Sequence, residues 1–385
     1  MAIRNDALKI ENPKSKIATE HPIIGRFSWR FYGDFMASPS VPPIKRPVPS
    51  WDELTFDLTE TDIMYRSFGD MQRDPVWDRG EFLPFADITI SPAAAFVSYG
   101  LGVFEGLKAQ KTADGRVLLF RPEKNGERLQ RSAERLMMAP FPVEQFVQAA
   151  EEIVRRNIRF VPPAEKGSFY VRPLEHAIEP KLGLKPCNLF AVTIFGSPVG
   201  SYFTGGAPKG VRLKCLEQGR AAKGGTGYAK AMGNYAGGIY VAHHWKEQGF
   251  DDVLYLDSHH EQYVTETSGS NVFLHRKDGT IVTPALDDQI LPGVTRDSTI
   301  QVARSLGLTV EERPLPIEEV LEEGEEVFCT GTAWTIQGVR EIVYRDRSVS
   351  FPQDSTSKRL LEVLRGIQVG THEDTFGWTR EVTTG

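Results

Sequence analysis

One stretch divides this chain: "GSPVGSYFTGGAPKG" (196–210). Glycine, proline and serine cluster there, which opposes both helix and central strand, and hydrophobic periodicity resumes on either side. A chain of 385 residues also exceeds what one hydrophobic core normally fills. The expected organisation is an N-terminal extension at 1–69, a small α+β domain at 70–197, a linker at 198–208 and a large α+β domain at 209–385. The extension reads as irregular, since "ASPSVPPIKRPVPS" (37–50) is too rich in proline for helix or central strand.

Each block has its own local signals. In the first, "ITISPAAAFVSYGLGVFEGLKAQKTADGRVLLF" reads as strand, small-residue turn and strand, and its D-G pair predicts a β-hairpin. "PEKNGERLQRSAERLMMA" has helical spacing, with Leu129, Ala133 and Leu136 on one face. "VEQFVQAAEEIVRRNIRFV" repeats it with Phe146, Ala149, Ala150, Ile153 and Val154. "GSFYVRPLEHAI" and "CNLFAVTIFGSPVG" read as strands. In the second block, "GVRLKCLE", "DDVLYLD", "EQYVTET" and "EEVFCTGTAW" read as strands, and "NVFLHRKDGTIVTP" as a second D-G hairpin. "AGGIYVAHHWKEQG" predicts a helix stopped at Gly249, and "TRDSTIQVARSLG" one with Ile300, Ala303 and Leu306 inward. The fold class is therefore α+β.

Composition excludes several functions. A net charge of −6 and a pI near 5.9 give no cationic surface for nucleic acid. No apolar run is long enough to span a bilayer, and the N-terminus lacks the apolar centre of a secretory signal. Three scattered cysteines with no CxxC argue against a disulfide framework or zinc site. A cytoplasmic protein without membrane or nucleic-acid partners is expected. The adjacent pairs His243-His244 and His259-His260 cannot face one ion from a helix, so no metal is expected. The acidic run "EEVLEEGEE" (318–326) reads as a solvated face.

"GGTGYAKAMGNYAGG" (224–238) surrounds Lys230 with glycine. A phosphate loop would need GxxxxGK followed by serine or threonine. Alanine stands on both sides of Lys230, so the match fails. Lys230 alone reads as a solvated loop lysine. Its neighbours along the chain change that. "VFEGLKA" (103–109), "LLFRPE" (118–123), "FYVRP" (169–173), the Lys230 segment, "DDVLYLD" (251–257), "ETSGSNVF" (266–273), "ILPGVTR" (290–296) and "EVFCTGTA" (326–333) occur in one order, with "FGW" at 376–378. Together they resemble the branched-chain amino acid aminotransferases, fold-type IV enzymes dependent on pyridoxal phosphate (PLP).

The resemblance implies a two-domain fold with PLP between the domains and a homodimer as the working unit. It implies that Lys230 holds the cofactor as a Schiff base and later moves a proton, general acid/base work. Glu266 matches the carboxylate that keeps the pyridine nitrogen protonated, and Tyr235 the phenol at the cofactor's 3′ oxygen. Arg121, the amides of Val294 and Thr295 at a predicted helix start, and Thr332 match the phosphate ligands. The substrate's α-carboxylate is expected at the Thr332–Ala333 backbone, near Tyr99 and Arg172, with Tyr99 reaching toward the partner's site. Phe104 and Tyr170 match pocket walls, and alternation puts Tyr170, Arg172 and Leu174 on one face.

Leu174, Glu175 and His176 depart from the family pattern, as do Trp334, Thr335, Ile336, Gln337 and Gly338, and Ser98 and Leu101. A tryptophan beside the carboxylate site is expected to reshape the room for the side chain. The expected reaction is ping-pong transamination between an L-amino acid, branched-chain or related, and 2-oxoglutarate. The alternatives are a specialised transaminase for an aromatic or modified amino acid, a D-amino acid aminotransferase, or an aminodeoxychorismate lyase.

Overall fold

The computed structural model of the chain describes residues 45–200 and 210–383. Most of the predicted linker 198–208, and the predicted extension up to residue 44, lie outside the described residues.

Two sheets organise the rest. The first draws on β1 (Ile63–Asp70), β2 (Glu81–Pro84), β3 (Gly102–Phe104), β4 (Leu107–Lys111), β5 (Val117–Phe120), β6 (Ser168–Ala177) and β7 (Leu189–Val199). The second contains β8 (Val211–Leu216), β9 (Asp252–Leu256), β10 (Val264–Thr267), β11 (Asn271–Arg276), β12 (Ile281–Thr283), β13 (Val310–Glu312), β14 (Gly324–Gly331), β15 (Thr335–Tyr344) and β16 (Arg347–Ser350). A last strand, β17 (Thr379–Glu381), returns to the first sheet. The first sheet runs β17-β5-β4-β6-β7-β1-β2 with β3 beside β6, and its pairs are antiparallel. The second runs β10-β9-β8-β15-β14-β11-β12-β13 with β16 beside β15, and mixes parallel with antiparallel pairs.

The helices are α1 (Ala95–Tyr99), α2 (Pro122–Arg135), α3 (Val143–Arg156), α4 (Met232–Ala236), α5 (Ile239–Glu247), α6 (Val294–Ser305), α7 (Ile317–Glu323) and α8 (Ser355–Gln368). The predicted apolar faces pack as their spacing requires. Leu129 and Ala133 of α2, and Phe146, Ala149, Ala150, Ile153 and Val154 of α3, join the core over the first sheet. The second sheet is buried on both faces. Val327 and Cys329 point to one core with Ile317 and Val320 of α7, while Phe328 between them points to another with Ile300 of α6 and Leu360 of α8.

Both D-G hairpins form, joining β4 to β5 and β11 to β12, with Gly115 at φ +90° and Gly279 at φ +86°. Other expectations change. The strand β1 begins inside the stretch read as irregular, because "IMYRSFGD" alternates and pairs with both β2 and β7. The run "ITI" (88–90) forms no strand, and the small-residue turn after it is the helix α1, whose local bonds Ser98 N–H to Ala94 O and Gly100 N–H to Phe96 O satisfy the backbone. The helix expected over Ala236–Gly249 begins only at Ile239, after the glycines 237 and 238, and the short helix α4 precedes them. Glu326, read as solvated, is buried. Its carboxylate accepts the N–H groups of Thr356 (2.8 Å) and Ser357 (3.0 Å) and so caps α8 from a neighbouring strand.

Candidate active site

Glycine in the Lys230 segment serves close packing. A Cβ on Gly227 would lie 2.5 Å from the Gln289 carbonyl oxygen, so only glycine lets the two backbones meet. Lys230 is then fixed through its backbone. Its N–H donates to Ser132 Oγ on α2 (2.9 Å), and its carbonyl accepts from the Phe104 N–H on β3 (3.1 Å). The side chain is fixed as well: Nζ donates to the Tyr235 hydroxyl at 2.8 Å and lies 4.5 Å from the Phe104 ring centre. Tyr235 meets Phe104 edge-on, with ring centres 4.7 Å apart.

Glu266, at the end of β10, is buried in the same pocket. Arg220 Nε donates to its Oε1 (2.6 Å), and the Leu291 N–H to its Oε2 (3.3 Å). Burial nevertheless pushes the Glu266 carboxyl above its ordinary value, against the pull of Arg220 and Lys230. Arg220 was not singled out in the sequence. Its signal was a lone arginine ten residues before Lys230 in a glycine-rich loop, which no spacing rule distinguishes.

The pocket's third side is the start of α6. Val294 and Thr295 line it, and no side chain caps this helix, so its first N–H groups are open to an anion. Thr330 Oγ1 lines the pocket, buried and without a hydrogen-bond partner among the described residues. Thr332 also lines it, its hydroxyl donating to the Gly106 carbonyl (3.2 Å).

Arg121 is a correction. It does not line this pocket. It precedes α2 at φ +49°, stacks on Trp378 (4.7 Å) and binds Ser298 Oγ (2.7 Å) and Asp297 (2.6 Å) on the outer side of α6. The arginine that lines the pocket is Arg128, further along α2. It grips buried Glu105 through Nε (2.7 Å) and Nη2 (2.8 Å), and its Nη1 reaches the Pro292 carbonyl just before α6 (3.2 Å). A signal for it existed. Asn125, Arg128 and Ser132 share one helix face by their spacing of three and four, and all three are buried.

The predicted substrate side lies next to Phe104. Arg172 stacks over Phe104 (5.0 Å) and Tyr170 (5.1 Å), and its Nη2 donates to the Tyr170 hydroxyl (3.1 Å). Tyr170 in turn meets Phe56 edge-on at 5.4 Å, a wall residue the sequence did not flag. Tyr99 is 44% exposed and does not line the pocket in its own chain; its hydroxyl donates to the Leu182 carbonyl. Ala333 sits in the loop between β14 and β15, and its carbonyl accepts from Lys108 Nζ (2.6 Å). Trp334 packs against the core of the second sheet and is not among the residues lining the Lys230–Glu266 cavity. Glu175, counted with the pocket departures, is buried on the opposite face of β6 from Tyr170 and Arg172.

Residues 102–342 match the family model of the class IV amino-transferases. The chain is 40% identical over 382 residues to the chloroplastic branched-chain-amino-acid aminotransferase 5 of Arabidopsis thaliana, covering 98% of this chain and 91% of that protein. It is 39% identical to the methionine aminotransferase BCAT4 of the same plant, over 86% of this chain and 93% of that one. The crystal structure of the branched-chain aminotransferase of Thermoproteus uzoniensis with norvaline superposes with a TM-score of 0.71 at 29% identity, covering 83% of this chain and all of that one.

Class IV aminotransferases use PLP, and the pocket fits it. An amine paired with a phenol, a buried carboxylate, an uncapped helix start beside an arginine, and an orphaned threonine hydroxyl supply the donors and acceptors that such a molecule requires. By family match and by the contents of its pocket, this chain belongs to the class IV aminotransferases, alongside the branched-chain enzymes, and is a PLP-dependent transaminase.

Proposed function

We propose that the protein moves the amino group of a branched-chain or related hydrophobic L-amino acid to 2-oxoglutarate in two half-reactions of ping-pong type. The observation that carries this reading is Lys230 Nζ, 2.8 Å from Tyr235 and set between an aromatic wall and the Glu266 pocket. PLP, when bound, supplies an electron sink for the substrate's Cα–H bond. Lys230 is the group that holds it covalently and then carries the Cα proton. Glu266 keeps the pyridine nitrogen protonated, and Tyr235 holds the ring oxygen. Val294, Thr295, Thr332 and Arg128 take the phosphate, each charge-assisted bond contributing about 1.5–3 kcal/mol. The Thr332–Ala333 backbone takes the α-carboxylate, and Phe104, Tyr170 and Phe56 enclose an apolar side chain.

A straight thioether also suits an aromatic-walled pocket, and one relative is a methionine aminotransferase. Turnover of valine, leucine, isoleucine, methionine and phenylalanine with 2-oxoglutarate tests the choice. Leucine or isoleucine is expected to lead. Turnover of phenylalanine alone, or of D-amino acids, overturns the reading. Lys230→Ala is expected to lower turnover about 10³-fold and to abolish the adduct fixed by borohydride.

We further propose two domains, 70–197 and 209–385 in the main, with β1 and β17 joining the first, and a homodimer as the working unit. Val97, Tyr99, Leu182, Leu184, Ile239 and Tyr240 are exposed apolar groups that a second copy would cover, and this is consistent with Tyr99 serving the partner's site. Sedimentation at half-micromolar protein tests it; a monomer there refutes it. A cytoplasmic location is also proposed, to be tested by imaging a fluorescent fusion of the full chain.

A further inference from the structure

We propose that Lys108 is a positioning residue that sets the shape of the carboxylate-binding loop. The inference rests on the assignment of the α-carboxylate to the Thr332–Ala333 backbone made above.

The loop Thr332–Trp334 joins β14 to β15, and Gly331 pairs with Thr335 across its base. Hairpin loops of this length usually place glycine at the left-handed position. Here Thr335 occupies it, at φ +67°. A β-branched residue in that region is strained, so the loop must be held from outside.

Two bonds reach it from one short run at the start of β4. Thr332 Oγ1 donates to the Gly106 carbonyl at 3.2 Å, and Lys108 Nζ donates to the Ala333 carbonyl at 2.6 Å, across 225 residues of sequence. A Cβ on Gly106 would fall 1.9 Å from the Tyr170 hydroxyl, so a side chain there would push the Tyr170 ring aside. Lys108 stands directly opposite Tyr170 in register, so its side chain shares the face that carries the substrate wall. Its Nζ also lies 5.9 Å from the Phe56 ring centre.

Among the described residues, Lys108 has no counter-charge in direct contact. Burial, together with nearby Arg365, pushes the amine down to about 7. Two residues on, on the same face, Gln110 is buried, and among the described residues neither its amide oxygen nor its nitrogen is bonded. A substrate carboxylate on the adjoining loop supplies the missing negative charge, and an ammonium at Lys108 in turn orients the loop that receives it. Amino donors and oxo-acid acceptors both carry this carboxylate. Losing Lys108 therefore weakens both half-reactions alike, unlike loss of a group that reads the side chain.

The test compares Lys108→Met, Lys108→Gln and Lys108→Arg with the wild-type holoenzyme. Lys108→Met is expected to raise KM for leucine and for 2-oxoglutarate by similar factors, about 10- to 100-fold, with a smaller change in kcat. Binding of 4-methylvaleric acid, which has the carboxylate but no amino group, should weaken by the same factor by calorimetry, with no turnover involved. Lys108→Arg should restore most of both, and Lys108→Gln gives the methionine variant's reading if that variant does not fold. An unchanged KM and unchanged acid binding in the methionine or glutamine variant overturn the inference, as does a fall in kcat alone. Wild-type protein that neither binds the acid nor turns over leucine would instead overturn the carboxylate assignment beneath it.

Discussion

Two glutamates of the first sheet are buried to 0% exposure, and they sit on the same pair of strands. Glu105 follows β3, its N–H donating to the Pro173 carbonyl of β6 (2.9 Å), while Glu175 lies on β6 opposite Val103. Burial would raise both carboxyls. At Glu105 it is outweighed by the two bonds of Arg128, helped by Lys230 and Asn125, and the group is held below its ordinary value. Among the described residues Glu175 has no hydrogen-bond partner at either oxygen, and burial raises it well above the ordinary value. One glutamate is an anion that presents an arginine to the active site. The other lies in a region of core where burial favours its protonated form. The difference shows that this sheet holds a buried carboxyl below its ordinary value where an arginine pairs with it, and above that value where burial acts alone.

The comparison breaks most sharply at Arg128. Arg128→Gln should cost about 3–5 kcal/mol, because it strands a buried carboxylate. It should also weaken retention of PLP, measured by dialysis and the loss of the visible absorbance band. Arg121→Gln is the contrast: it should leave cofactor retention within a few-fold, since Arg121 faces Ser298 and Trp378. Equal loss of cofactor in both would remove the distinction drawn between the two arginines.

His176, beside Glu175 and packed on Phe96 (5.3 Å), gives the next effect. Burial, with Arg66 nearby, lowers its value from 6.5 to about 4. The unfolded chain therefore takes up the proton first as pH falls. This contribution is intact above pH 6.5 and is lost progressively toward pH 4, reaching about 3 kcal/mol there. Urea melts at pH 7 and pH 4.5 should show a smaller drop for His176→Phe than for the wild type; equal drops would place the imidazole in water.

The smallest effect is a gain. Glu175→Met keeps the side-chain volume and removes two unpartnered polar atoms, so stability should rise by about 1–3 kcal/mol in thermal melts. A loss of that size would mean that the acid has a partner after all.

How much of this was legible in sequence depends on the range of the interaction. The D-G hairpins and the apolar faces of α2 and α3 are local, and their spacing sufficed. Lys230, Tyr235, Glu266, Val294, Thr295 and Thr332 came from ordered motifs, and the fold does bring these six into one pocket. Arg121 and Arg128 show where a motif fails. Both lie in one short segment, and only the rotation of a helix decides which of them faces inward. Thr335 shows a similar limit: it lies in the left-handed region, which no propensity predicts for a β-branched residue. Glu175 was readable, since alternation along β6 opposes it to Arg172, but its position near the pocket motif concealed that.

The strand β17 has a consequence for how the molecule is made. It forms the edge of a sheet whose other strands are all encoded before the second sheet begins. Arg380 on β17 pairs with Glu123, 257 residues earlier. During synthesis the first sheet must therefore wait with β5 unpaired on one side while the whole second sheet leaves the ribosome. An open, apolar strand edge over that interval is a target for wrong pairing, so the first half of this enzyme depends, for its own completion, on the second half having been translated.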